Sequence, residues 1–295
     1  MILCAGRIYC DLVFAGLDAE PAMGREVFAD SLTICPGGGA FITAAYLAAL
    51  GEQVALVGTL PAPPFQSMVE ADMAAKRIDN QCAPAGCLEP QITAAAVGTV
   101  DRSFITRRVG DAVPRSMIDA MPEARHLHIG ELTTALEQPD LVTAARTRGM
   151  SVSLDCAWDE AALSRHDVAD AIANVDVFLP NADEAERLSS QGIAVRPKAA
   201  LVIKQGDKGA TCTHYVGQAD SRRTHLAAQP TKVRDTTGAG DAFNAGFLSA
   251  WLAGQEPLKA LQLGNACGAH AVSRLGGASD LPGLSALVTH DRAAS

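Results

Sequence analysis

Asp235-Thr236-Thr237-Gly238-Ala239-Gly240-Asp241-Ala242-Phe243 is the stretch on which the reading of this chain turns. Three small residues precede an acid at the start of an apolar, helix-like segment that runs to Ala253. Backbone N–H groups in such a turn can point at an anion, and the dipole of the following helix adds positive potential. A carboxylate at that place would ordinarily repel a phosphate. Its presence makes chemical sense if it takes a proton from an attacking hydroxyl. The bland alternative is a glycine turn whose acid merely suits the helix dipole.

Outward from this turn, short apolar runs alternate with longer helical patterns. Strands are expected at Ile2 to Ala5, Val54 to Val57, His126 to Ile129, Val152 to Leu154, Val175 to Leu179 and Leu201 to Ile203. Helices are expected at Ala40 to Leu50, Phe65 to Lys76, Pro139 to Arg148, Ala182 to Ser189 and Asp241 to Ala253. This order predicts an α/β fold: a mainly parallel central sheet with helices on both faces. Tyr9 to Ile34 and Ile92 to Val109 break the rhythm with short strand-like pieces. Together they predict one small β-sheet at the edge of the core, placed to act as a lid.

Four further motifs stand in order along the chain. Pro36-Gly37-Gly38-Gly39-Ala40 leads into an Ala-rich helix, and its glycines let a hydroxylated ligand approach the backbone closely. Pro180-Asn181-Ala182-Asp183-Glu184 reads either as a polar site at a sheet rim or as a helix capping box, and the two are compatible. Val202-Ile203-Lys204-Gln205-Gly206-Asp207-Lys208-Gly209-Ala210 is a strand and glycine-rich turn, where Lys204 can reach a phosphate as a point charge. Gly6 and Asp11 flank the end of the first strand.

Taken together these motifs resemble the ribokinase-like, or PfkB, family of carbohydrate kinases, over nearly the whole chain and in the family's order. The resemblance implies a three-layer ribokinase-like fold, one kinase domain over 1–295, with a β-lid inserted from about 9–34 and 92–109. It implies an ATP-dependent transfer of phosphate to a hydroxyl of a sugar or sugar-like molecule. Asp241 is then the base, and Gly238, Ala239 and Gly240 form the anion hole. Asp11, Gly37, Gly38 and Gly39 would hold the acceptor, with Arg102 and Phe104 in the lid. Asn181 and Glu184 would organise Mg²⁺ and its waters. Lys204, Gly206, Gly209 and Asn265 would lie along the nucleotide. The Gly276-Gly277-Ala278 turn falls where some members bind a monovalent cation such as K⁺. Lids of this kind often pair two subunits, which makes a homodimer an expectation.

The chain also departs from the pattern. Ile42 stands where the family's glycine-rich motif usually has an Asn, and Tyr9 where a polar residue is common. Asp155-Cys156-Ala157-Trp158-Asp159 keeps only the first Asp of an Asp-x-Asn-x-Arg element, leaving Asp155 as a candidate acceptor contact. These losses predict a less polar acceptor pocket than that of a typical sugar kinase. A missing buried hydroxyl partner changes discrimination by roughly 10⁴-fold, so no particular sugar is carried over. A flatter pocket with Tyr9 and Ile42 would suit a nucleoside kinase. A ligand-binding regulator that kept the fold without catalysis is the alternative from another class.

Composition sets the outer limits. The 295 residues carry a formal charge of −9, a poor match to non-specific nucleic-acid binding. No basic leader precedes the first apolar residues, and no apolar run approaches the ~20 residues of a membrane helix, so a cytoplasmic protein is expected. Eight cysteines without CxxC pairs suit buried thiols in a reducing compartment, with Cys82 and Cys87 the one pair placed for oxidation. GxGxxG, GxxxxGK[ST] and HExxH are all missing, which argues against a dinucleotide oxidoreductase, a Walker-type ATPase and a zincin. His126 and His128 form an HxH pair that shares one strand face, for which packing is favoured over a metal.

Overall fold

The computed structural model describes residues 1–85, 89–98, 102–279, 281 and 284. Its strands are β1 (Ile2–Ala5), β2 (Tyr9–Leu17), β3 (Ala29–Gly37), β4 (Val54–Val57), β5 (Asp79–Asn80), β6 (Ile92–Val97), β7 (Arg102–Arg107), β8 (His126–Ile129), β9 (Ser151–Asp155), β10 (Val177–Leu179), β11 (Ala200–Lys204), β12 (Ala210–His214) and β13 (Arg222–Leu226). Nine of them form one sheet in the order β13-β12-β11-β10-β9-β8-β1-β4-β5. Seven strands run parallel from β5 to β11, and the hairpin β12–β13 adds an antiparallel edge.

Strands buried on both faces read as unbroken apolar runs rather than alternating ones. β1 shows this directly: Leu3 and Ala5 face one apolar cluster with Leu127, Ile129, Val152 and Leu154, while Ile2 and Cys4 face another with Phe41, Leu56 and Ala245. Helices cover each cluster, so the layers are helix, sheet, helix.

The second sheet has the order β3-β2-β6-β7, with β2–β3 and β6–β7 antiparallel and β2–β6 parallel. Its inner face carries Val13, Cys35 and Ala95, all buried. Tyr9 to Ile34, expected as several short pieces, instead contributes two nine-residue strands. The register pairing Leu12 with Ile34 and Phe14 with Leu32 puts apolar side chains on both faces, which blurred the alternation that marks a strand.

Several elements went unmarked by sequence, among them β5 and the short helices Arg115–Asp119, Leu132–Glu137, Glu160–Leu163 and Val168–Ala173. The hairpin β12–β13 is another. So is the helix Pro257–Val272, which packs along the helix Ala239–Leu252 that follows the Gly-Ala-Gly turn. The close approach needs glycine: a Cβ at Gly246 would fall 2.5 Å from the Leu263 carbonyl oxygen, and one at Gly264 would fall 2.8 Å from the Phe243 ring.

His126 and His128 lie buried on one face, as their spacing requires, against Ser151 and Ser153 of β9. His126 Nδ1 is 2.7 Å from Ser151 Oγ, and His128 Nδ1 is 2.9 Å from Ser153 Oγ. Burial pushes both imidazoles down to about 3, so they stay neutral. Among the described residues no cluster of three metal-ligating side chains occurs. Of the expected thiols, Cys82 is half-buried with Sγ 3.2 Å from the Leu56 carbonyl oxygen, and Cys87 lies outside the described residues. Among the described residues no helix is long and apolar enough to cross a membrane.

Candidate active site

Two glycine turns from opposite ends of the chain meet at Asp241. Gly238 takes a left-handed conformation (φ 72°) and caps the helix Ala239–Leu252. The N–H groups of Gly240 and Asp241 fall in the first turn, where no intrahelical carbonyl reaches them. The Ala239 N–H is committed to the Thr236 carbonyl at 3.3 Å. Asp235 is buried and braces the turn, accepting from the Thr237 N–H at 2.8 Å and from the Gly276 N–H at 2.9 Å. That ties the Gly276–Ala278 segment to the same turn.

The other turn is Gly37–Gly39. Gly38 has φ 96° and sits over the Arg7 carbonyl, so closely that a Cβ would fall 2.3 Å from the oxygen. A Cβ at Gly37 would land 2.0 Å from Asp11 Oδ2, and one at Gly39 would land 2.9 Å from Asp241 Oδ1. The two carboxylates therefore flank a strip of bare backbone. Thr43 ties the elements together, its hydroxyl donating to the Asp241 carbonyl at 3.2 Å.

Burial raises both acids. Asp241 is pushed up to about 7 by burial and the neighbouring Asp155, Glu184 and Asp11, against the pull of Lys204. Asp11 is likewise raised to about 7, by burial and Asp235. A carboxylate titrating near neutrality is matched to general-base work.

Behind the turn lies a closed polar network. Lys204 Nζ donates to Asp155 Oδ1 at 2.8 Å and to Asn244 Oδ1 at 3.2 Å, while Asn244 Nδ2 donates to Asp155 Oδ2 at 2.6 Å. Burial alone would lower the lysine's pKa, but Asp155 and Glu184 hold it above the ordinary value. Glu184 is raised to about 7 by burial and Asp155. Asn181 and Glu184 do form the capping box: Asn181 Oδ1 accepts from the Glu184 N–H at 2.9 Å, and Glu184 Oε2 accepts from the Asn181 N–H at 2.8 Å.

The other expected site residues take the following places. Ile42 is buried, and its side chain lies against Gly238 and Gly277. It is packing beneath the turn, because position 42 points from the first helical turn to the Gly-Ala-Gly loop. Tyr9 is buried with its ring over Gly38, and Arg108 and Glu131 are among its charged neighbours. Arg108 pairs with Asp159. Polar groups thus gather beside Tyr9. Phe104 shares the inner face of its sheet with Asp11, but two strands away and two register steps along. Arg102 stacks on it, 5.1 Å from the ring centroid. Asn265 donates to the Leu226 and Ala227 carbonyls at 3.2 Å. Gly209 is required by strand β13, since a Cβ would fall 2.0 Å from the Leu226 oxygen, whereas Gly206 faces open space.

Sequence reasoning missed Asn244 and Arg7. Asn244 is three residues after Asp241, hence on the same helix face, and that spacing was the available signal.

A family model for the pfkB carbohydrate kinases matches residues 2–284. The chain belongs to the pfkB family of carbohydrate kinases. Members of this family use ATP as the phosphoryl donor, and the chain is an ATP-dependent kinase of that class. The chain is 28% identical to an ATP-dependent ribose-1-phosphate kinase of Halopiger xanaduensis, over 94% of each protein. It is 33% identical over 139 residues to an uncharacterized sugar kinase of Archaeoglobus fulgidus, an overlap of 45% of this chain and 54% of that one. Its fold superposes on the nucleoside kinase of Methanocaldococcus jannaschii with a TM-score of 0.79, at 21% identity, covering 99% and 98% of the two chains.

Proposed function

We propose that the protein transfers the γ-phosphoryl group of ATP to a hydroxyl of a sugar or nucleoside, with Asp241 as the base. The observation that carries this is the meeting of Asp241 with the Gly37–Gly39 strip and Asp11 at an open helix N-terminus. The acceptor lies over the glycine strip, its hydroxyls held by Asp11. One hydroxyl gives its proton to Asp241 as its oxygen bonds to the γ-phosphorus. The bond to the bridging oxygen breaks, and that electron pair leaves on ADP. First-turn N–H groups receive the charge of the transferring group.

Asp155, Glu184 and Asp241 outnumber the single cation Lys204 in this buried region, an imbalance that fits a divalent cation. Glu184 and Asn181 would hold Mg²⁺ through water, since one oxygen of Glu184 is committed to its cap. Bound there, Mg²⁺ would offset charge on the β- and γ-phosphates. The smaller sheet would close over the acceptor as a lid. Its outer face exposes Leu32, Ile34 and Ile105, which supports pairing with a second copy. Buried, unpaired thiols suit a cytoplasmic setting.

The test is coupled ADP release with Mg-ATP across sugars, phosphorylated sugars, sugar acids and nucleosides, comparing wild type with Asp241→Asn. Acceptor-dependent release that collapses in the variant supports the reading. Equal turnover by both proteins ends it.

A further inference from the structure

We propose that Asn244, acting with Asp155, is a positioning residue that aims the Lys204 ammonium at the phosphoryl-transfer turn; this rests on the kinase reading above. Lysine carries its charge on a flexible four-carbon stem with three rotatable donors, so a fixed direction has to come from its partners. Here two partners form a ring. Asp155 takes one N–H at 2.8 Å and Asn244 takes a second at 3.2 Å. The third is left beside Gly240, where a Cβ would lie 3.3 Å from Nζ.

The amide of Asn244 can do this in only one orientation. Its nitrogen must face the carboxylate and its oxygen the ammonium, as the 2.6 Å bond to Asp155 Oδ2 requires. Asn244 is fully buried, so no solvent competes for either contact. Both oxygens of Asp155 are engaged: Oδ1 accepts from Lys204 and from the Cys156 N–H at 2.7 Å, and Oδ2 accepts from Asn244. With both oxygens committed, Asp155 serves the lysine rather than the acceptor. The helix that delivers Asp241 thus also delivers, one turn later, the group that sets the lysine. Base and cation are registered on one rigid element.

A double-mutant cycle tests this without any acceptor. The affinities of Mg–AMP-PNP and of ADP are measured by calorimetry for wild type, Asn244→Leu, Lys204→Met and the double variant. Each single change is expected to weaken Mg–AMP-PNP about tenfold or more while leaving ADP within about threefold, because the lysine is aimed at the transferring group. The double variant is expected within about twofold of Lys204→Met alone, since Asn244 acts through the lysine. Multiplying effects, equal losses for both nucleotides, or no loss in Asn244→Leu would each overturn the proposal. Asn244→Ser runs the same cycle should the leucine variant not fold. A wild type that binds neither nucleotide overturns the kinase reading and this proposal with it. Tight wild-type binding with a multiplicative cycle overturns this proposal alone.

Discussion

Gly39 lies against the Asp241 carboxylate with no room for a side chain: a Cβ there would stand 2.9 Å from Oδ1 and 2.5 Å from the Gly130 carbonyl oxygen. The first contact would push the proposed base, and the second is with backbone that cannot swing aside. Gly39→Ala is therefore expected to cost about 1–3 kcal/mol of stability through overpacking. Turnover should fall about 100-fold, because a displacement near 1 Å is enough to spoil alignment for transfer. Steady-state kinetics beside urea denaturation checks both. Wild-type turnover in a folded Gly39→Ala protein would show that the strip is not part of the reacting geometry.

Asp11, Glu184 and Asp241 are each held near 7, chiefly by burial. Between about pH 4 and 7 the folded chain keeps protons that the unfolded chain has already released. Stability is thus fully present below the unfolded values and is lost as pH rises through 7. Asp241→Asn removes one of the three. It should be more stable than wild type at pH 8 by about 1–2 kcal/mol, with the gain gone at pH 4. The kcat/KM of wild type should rise with pH through about 7, as the base loses its proton. A variant gain of the same size at both pH values would contradict the assignment.

Glu184 combines a helix cap with a buried charge, and Glu184→Gln separates the two. Glutamine at the third helical position still completes a capping box, so stability at pH 8 should hold or rise. The Mg²⁺ concentration for half-maximal activity should rise about tenfold if the charge helps hold the ion's water shell, a loss of about 1.4 kcal/mol. Titrating activity with Mg²⁺ decides it. An unchanged requirement would leave Glu184 as a cap alone.

The parts legible in sequence were those encoded locally. β1, β4 and β8 fall where their apolar runs end, and both glycine turns announce themselves through residues that need bare backbone or positive φ. The helix Pro257–Val272 was hidden by its own packing. Gly264 and Gly268 lower helix propensity, and Gly264 is required because the Phe243 ring comes too close for a side chain. The direction of the Ile42 side chain was not legible either, because family position does not specify it: the side chain lies against Gly238 and Gly277. Arg7 and the Asn244 ring were illegible for another reason. Their partners are brought together only by the closed fold, from positions as far apart as 7 and 137 or 155 and 244.

The outer face of the smaller sheet aligns Leu12 with Ile34, Ala94 and, through Ala94, Ile105, and aligns Phe14 with Leu32. A row of apolar side chains on one open sheet face favours association. Wild type is expected to sediment as a dimer. Leu32→Glu combined with Ile105→Glu should sediment as a monomer with its fold intact, since both positions are exposed in the single chain. A wild type that stays monomeric at high concentration would rule out this use of the face.

Arg7 is buried at the junction of the two sheets and holds three separate segments. Its guanidinium donates to Gln91 Oε1 at 3.0 Å, just before β6, and to the Gly110 carbonyl at 2.8 Å, just after β7. It also donates to Glu137 Oε2 at 2.7 Å, while its backbone N–H donates to Glu131 Oε1 at 3.1 Å. Replacing it by leucine removes the charge but strands the buried Gln91 amide and the Gly110 carbonyl. Arg7→Leu is expected to cost about 3 kcal/mol, the scale seen when one partner of a buried, hydrogen-bonded pair is removed. Because the contacts bracket both strands that carry the smaller sheet's outer half, protease cutting within β6 and β7 should speed up before the core unfolds. Limited proteolysis beside a urea titration measures both. If stability drops but the cutting pattern matches wild type, Arg7 stabilises the core without anchoring the smaller sheet.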